Sequence, residues 1–245
     1  MSARVTFAVA VRVLTQIRRD RRTLAMLLVL PCVLITLLWW MFLDLPGNSF
    51  DRFGPGLLAL FPFIVMFLVT SVTTLRERSG GTLERLLSMP MGKLDFLLGY
   101  AIAFGLVATV QSVLAVGVSV GLLGLDVQGP TWLLTLVAVV DAILGTALGL
   151  FVSAFAATEF QAVQFMPAVV IPQLLLCGLF VPRALLPDVL ETISDLLPLS
   201  YAVDAMTHLV VSTTTAQVWR DLAVVAAFAL AGLALGAATL RRRTA

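Results

Sequence analysis

Six apolar runs, each about as long as a bilayer is thick, leave this chain few folds to choose from. Roughly 20 helical residues cross a hydrocarbon core of about 30 Å. The runs cover residues 24–43, 56–75, 96–123, 131–155, 165–181 and 222–240. The first closes on Trp39–Trp40, as an interfacial aromatic belt does, and the fifth is short and carries Pro167 and Pro172. Lipid offers no hydrogen bonds, so each backbone N–H and C=O must be paired within its own segment, and an isolated apolar run becomes a helix. The chain is 60% hydrophobic and 12% charged, whereas a soluble domain carries about 25% charged residues. The expected fold is an all-α integral membrane protein. A single transmembrane domain fills residues 1–245, with six spans, an N-terminal interfacial helix, a short helix between the second and third spans, and short re-entrant or interfacial helices before the sixth.

Charge placement predicts the orientation. Of the 16 Lys and Arg residues, 13 fall in the N-terminal segment, the 76–96 connection and the C-terminal Arg241–Arg243; the other side holds Arg52, Arg183 and Arg220. The positive-inside rule then puts both termini and the 76–96 connection in the cytoplasm of a multi-pass inner or plasma membrane protein. The first run is too long for a cleaved signal, ends in bulky Trp and Phe, and has no small-residue cleavage site. Cys32 and Cys177 sit inside apolar runs and read as packing residues. Near the N-terminus, Phe7, Val11 and Leu14 share a helical face while Arg4, Arg12, Thr15 and Arg19 share another. That pattern suits a helix in the inner interface with its arginines on anionic headgroups, or a plain topological anchor.

The connection RERSGGTLERLLSMPMGKLDF, residues 76–96, mixes charges of both signs. Leu83, Leu86 and Leu87 recur at i, i+3 and i+4 and make one apolar helical face. Thr82 is a plausible N-cap, Glu84 suits the positive helix start, and Pro90 ends the element. A helix of about two turns is unstable alone in water. A partner protein with a groove for the leucine face accounts for it, and a solvated loop that fixes topology is the plainer alternative.

Catalytic patterns are weak. Gly92–Lys93 is followed by Leu94 and lacks the preceding glycine of a phosphate loop. Gly117-Val118-Ser119-Val120-Gly121 matches the G-x-S-x-G nucleophile pattern, but it lies in an apolar span where a small-residue face for close helix packing explains it better. One histidine, His208, and two separated cysteines supply no metal-ligand cluster. The chain reads as a non-enzyme. In the spans, Asp141 stands out, because an ionised acid there costs about 2.5–3.5 kcal/mol on insertion scales. Cation binding in a transport path and interhelical hydrogen bonding both explain it. Gln111, Gln164, Gln173 and Phe180 join Asp141 as candidates for a translocation path. After the fifth run, Val189, Leu190, Ile193, Leu196 and Leu197 alternate at helical spacing with Asp188, Glu191 and Asp195, between Pro187 at the start and Pro198 at the end. This helix is too short to span, and periodicity leaves open whether it dips back into the membrane or lies flat.

Two stretches carry a family resemblance. RERSGGTLERLLSMPMGKLDFLLGY resembles the connection between the second and third spans of type-2 ABC exporter permeases, the drug and polysaccharide efflux group. Its consensus there runs roughly Glu-Arg-Glu-x-Gly-Thr-Leu-Glu-x-Leu-Leu. GLFVPRALLPDVLETISDLLPLSYAVDAM, residues 178–206, is similar to that family's external segment. The likeness covers essentially the whole chain and looks strongest to the short daunorubicin-resistance-type permeases. It implies that Glu77, Gly81, Thr82, Leu83, Glu84, Leu86, Leu87 and Pro90 form a coupling helix docking on a cytoplasmic ABC ATPase, present in two copies. Gly80 beside Gly81 departs from the pattern and loosens the start of that helix. It further implies an external gate at Pro187, Pro198, Tyr201 and Asp204, a second permease subunit (identical or related), and no cofactor on this chain, with ATP and Mg on the ATPase. Partners would be these proteins and the bilayer, with no nucleic acid. The implied activity is export of an amphipathic or hydrophobic compound, such as a drug, antibiotic or lipid-like molecule. A stand-alone channel or ion-coupled carrier using Asp141 is the alternative.

Overall fold

A computed structural model describes residues 3–44, 49–79 and 93–239. Nine α-helices are found among them: α1 (Ala3–Arg19), α2 (Arg21–Phe42), α3 (Ser49–Ser79), α4 (Lys93–Gly121), α5 (Thr131–Val152), α6 (Glu159–Leu176), α7 (Asp188–Asp195), α8 (Pro198–Val211) and α9 (Ala216–Thr239). No strand occurs among the described residues. Six of the helices, α2–α6 and α9, are long and apolar enough to cross a membrane. The end at which α3 stops and α4 begins is here called the loop end, and the opposite one the far end. The 80–92 connection itself, with Gly81, Thr82, Leu83, Glu84, Leu86, Leu87 and Pro90, lies outside the described residues.

Helix α5 is the axis of the bundle. Most of its side chains are buried, and α3, α4 and α9 pack round it. Apolar contact alone cannot drive helices together in lipid, so close backbone approach has to do it. Gly145 and Gly149, in Gly-Thr-Ala-Leu-Gly, meet the α3 backbone directly: a Cβ on either would stand 2.5 Å from the carbonyl oxygen of Phe63 or Phe67. Any side chain there would push the two helices apart. The Gly117–Gly121 pair in α4, read from sequence as a packing face, has nothing within 4 Å of its would-be Cβ positions. Both face outward; the close helix contact is made by the glycines of α5. The Ser119 pattern also lies wholly in helix, without the strand–turn–helix setting a nucleophile elbow requires.

Outer faces are apolar too. Along α2, Met26, Val29, Val33, Leu37 and Trp40 form an exposed stripe at helical spacing, and Ile102, Leu106, Val110 and Val113 do the same along α4. Those stripes suit hydrocarbon rather than water.

Local chemistry explains where helices depart from the apolar runs. Helix α6 starts six residues before the fifth run because Thr158 and Gln161 cap it. The Thr158 hydroxyl accepts from the Gln161 N–H (3.2 Å), and Gln161 Oε1 accepts from the Ala157 N–H (2.8 Å). It stops ahead of Gly178, whose backbone turns at φ +90°. Pro198, expected as a terminator, also opens α8 from its first turn, where its missing N–H costs nothing. Helix α8 buries Leu199, Ala202, Val203, Ala205, Met206 and Leu209 against the bundle, while α7 leaves Val189 and Ile193 exposed.

In the N-terminal helix one arginine of the polar face, Arg12, has a protein partner, while Arg4 and Arg19 stay exposed. The buried side of α1 is Thr6, Val9, Ala10, Val13 and Ile17, packed on α4. Phe7 and Val11 point away from the protein, and Arg12 turns inward to Glu77. Asp20, between α1 and α2, caps α2 by accepting from the N–H groups of Arg22 (3.2 Å) and Thr23 (3.1 Å). The Thr23 hydroxyl bond, with those backbone bonds, lowers its pKa.

Candidate functional site

Two polar groups lie deep in the bundle. Ser112 on α4 donates to the carbonyl oxygen of Ala138 on α5 (3.0 Å), which sets the antiparallel helices side by side at that depth. Gln111 adjoins Ser112, and Asp141 lies one turn beyond Ala138. Both are 0% exposed. Neither carboxylate oxygen of Asp141, and neither amide atom of Gln111, has a hydrogen-bond partner among the described residues. A carboxylate and an amide are thus both enclosed without the bonds that normally stabilise buried polar groups.

At the far end Arg183 gathers a polar network. Arg183 binds Asp204 through Nη1 and Asp195 through Nη2, and its guanidinium lies over the Tyr201 ring, 5.1 Å from the centroid. The Tyr201 hydroxyl donates to the carbonyl oxygen of Asp195 (2.8 Å). Burial pushes the Asp204 carboxyl above its ordinary pKa, outweighing the opposite pull of Arg183. Burial works against the Arg183 charge, yet Asp204 and Asp195 together raise its pKa. One side chain therefore ties α7 to α8. Tyr201 and Asp204 come together there, with Pro187 before the first turn of α7 and Pro198 in the first turn of α8. Sequence reasoning passed over Arg183. Its signal was isolation, because it is the lone Lys or Arg between Lys93 and Arg220, in a segment holding Asp188, Glu191, Asp195 and Asp204.

The proposed path residues occupy different settings. Gln173 bridges two helices: its Nε2 donates to Val169 O (3.1 Å) and its Oε1 accepts from Leu199 N (3.3 Å), joining α6 to α8. Gln164 is exposed on α6, and Phe180 is exposed beyond it. Next to α8, Ser194 Oγ donates to Leu176 O (2.7 Å) and lies 3.1 Å from Ser200 Oγ.

At the loop end Glu77 is buried. Arg12 Nη2 donates to both its oxygens (3.1 and 3.0 Å), and Gln16 Nε2 donates to Oε1 (3.0 Å). Arg76 makes two bonds to Glu159 (2.8 and 2.9 Å), linking α3 to the start of α6. A cleft of about 240 Å³ opens here, lined by Gln16, Asp20, Thr73, Arg76 and Glu77 among others. No group of three His, Cys, Asp or Glu side chains that could hold a metal ion occurs among the described residues.

Comparison with known proteins bears on the whole bundle. The family model described as ABC-2 type transporter matches residues 4–211. ABC transporter G family member 20 of Dictyostelium discoideum is 27% identical over 162 residues, covering 66% of this chain and 22% of the relative. The probable multidrug ABC transporter permease YbhR of Escherichia coli (strain K12) is 25% identical over 169 residues, 69% of this chain and 46% of its own. The inner membrane transport permease YhhJ of the same strain is 28% identical over 151 residues, 60% of this chain and 40% of its own. The chain thus spans less than half the length of each of these curated relatives. The match takes in five of the six membrane-length helices as well as α1, α7 and α8, and on that basis this multi-pass membrane chain belongs to the ABC-2 type transporter family.

Proposed function

We propose that the chain is the membrane-spanning subunit of an ATP-driven exporter for an amphipathic or hydrophobic compound. The observation that carries this reading is the family match over residues 4–211, which embraces the 80–92 connection and both of its flanking helices. ATP is hydrolysed on a separate cytoplasmic ATPase, present in two copies, and a second permease subunit completes the path. Both termini and the 80–92 connection face the cytoplasm of the inner or plasma membrane. The names of relatives such as YbhR and YhhJ support transport, and multidrug transport in the first case. Coupling runs through Leu83, Leu86 and Leu87, an apolar face in an otherwise charged segment. ATP binding draws the two ATPases together, and that movement is passed to α3 and α4. The lipid-suited outer stripes and the exposed faces of α6 leave room for a second subunit. Catalysis on this chain has no place in the scheme.

The second reading is an ion-coupled carrier or channel. It is favoured by one observation, the enclosed and unpartnered Asp141.

The coupling reading is tested by changing Leu86 and Leu87 together to serine. Burying a leucine contributes roughly 1.5–3 kcal/mol, and 1.4 kcal/mol is about tenfold in affinity. Docking should weaken at least about tenfold, so ATPase co-purification and ATP-driven export fall together while membrane insertion stays normal. Full ATP-driven export by the double variant would remove the 80–92 connection from the mechanism.

A further inference from the structure

We infer that Arg12 and Glu77 form a clamp by which α1 holds both helices flanking residues 80–92, making α1 a positioning element for ATP coupling. This rests on the exporter reading above, and it moves Glu77 out of the docking surface. The Glu77 side chain is 9% exposed. Arg12 and Gln16 supply three hydrogen bonds to its carboxylate, all from α1. A carboxylate filled from within its own chain is poorly placed to greet a partner.

The other flank is held by the same helix. Thr6 Oγ1 donates to Asp95 Oδ1 on α4 (3.2 Å). One turn on, Gly99 lets α1 lie directly against α4, since a Cβ there would be 2.6 Å from Val9 Cγ1 and 2.9 Å from the carbonyl oxygen of Thr6. Tyr100 and Phe104 then bury themselves among Val9, Ala10 and Val13. Although only Asp20 separates α1 from α2, α1 packs far more extensively on α4 than on α2. Mechanically it belongs to the flanks of the connection. The α3 flank cannot shift relative to the α4 flank without breaking the Arg12 bonds or carrying α1 along, and α1 leads through Asp20 into α2.

The ion pair is the sensitive part of this device. Arg12 Nη2 is shared between both carboxylate oxygens, and Gln16 adds a third bond to Oε1, so the carboxylate is held by charge-assisted bonds from one side. Removing Arg12 leaves the buried Glu77 carboxylate without its cation and with the neutral Gln16 amide as a donor. The leucine face lies elsewhere in the connection, so ATPase docking and positioning are separable.

The test uses the full chain with its ATPase in inverted membrane vesicles, reading uptake of a fluorescent lipophilic amine, ATP hydrolysis and ATPase co-purification. Arg12→Glu and Glu77→Arg should each keep the ATPase bound yet lower transport per ATP hydrolysed at least about tenfold. The double exchange, with both substitutions, should recover to within about threefold of wild type, and Arg12→Lys should fall between. Glu77→Gln, which keeps the shape and an acceptor, guards against variants that merely misfold; it should insert normally and still lose coupling. Unchanged coupling in Glu77→Gln would overturn the clamp. So would loss of ATPase binding in Glu77→Arg that the double exchange fails to restore, because Glu77 would then be a docking residue. Failure of the exporter reading itself would show separately, as wild-type uptake indifferent to ATP.

Discussion

At the far end of the bundle Arg183 holds Asp195 and Asp204 at once, whereas halfway down α5 Asp141 holds nothing. Water was within reach of the first group and not of the second, so the partnering is the reverse of what solvation alone would ask. Asp195 is more than half exposed yet still engaged, and Tyr201 adds both its ring and its hydroxyl. That economy suits a structural tie between two short helices that could not stay in place alone. The enclosed Asp141, by contrast, has no hydrogen bond to offset the cost of its burial.

The contrast predicts substitutions of opposite sign. Asp141→Ala should stabilise the purified protein by about 2.5 kcal/mol, the scale of the insertion penalty for a central Asp, read as a higher unfolding temperature in detergent. Lower stability in that variant would mean that Asp141 is bonded after all. Arg183→Ala should act the other way. It strips the shared partner from two carboxylates, one of them largely buried, and should cost about 2 kcal/mol, between the values for exposed and buried pairs. An unchanged unfolding temperature would demote the network to a surface ornament.

The smallest effect is one of pH. The folded-state pKa of Asp204 is raised by burial, so the folded chain holds that proton more tightly than the unfolded one. Its titration therefore contributes stability at low pH, which is lost as pH rises from the ordinary carboxylate value through the raised one. Asp204→Asn should flatten the pH–stability curve in that window by less than about 1 kcal/mol. A steeper curve in the variant would contradict the assignment.

Much of the membrane architecture was legible because a run of about 20 apolar residues has one common solution in lipid. What escaped was which face meets protein. In water an apolar stripe marks the core, but beside a membrane it can equally face lipid, so the pattern alone did not show that Val9 and Ala10 are buried while Phe7 and Val11 point away. The same ambiguity hid the helix contact: Gly117–Gly121 and Gly145–Gly149 read alike, and only the second pair touches another backbone. Polar caps at Thr158 and Gln161 fell outside any hydropathy window. Side-chain partners far apart in sequence, such as Arg12 with Glu77 and Arg183 with Asp204, carry no periodic signal at all. Tyr201 and Asp204 were singled out by resemblance, and the arginine that joins them was not.

The central claim is that transport by this chain is driven by ATP hydrolysed on a separate subunit, and not by an ion gradient acting at Asp141. Inverted vesicles containing the chain and its ATPase, loaded with the fluorescent lipophilic amine from outside, test it most directly. Uptake should require ATP, persist when a protonophore collapses the pH gradient, and survive Asp141→Asn with nearly unchanged kinetics. Uptake driven by an imposed pH gradient without ATP, and abolished by Asp141→Asn, would contradict the account and establish the carrier in its place.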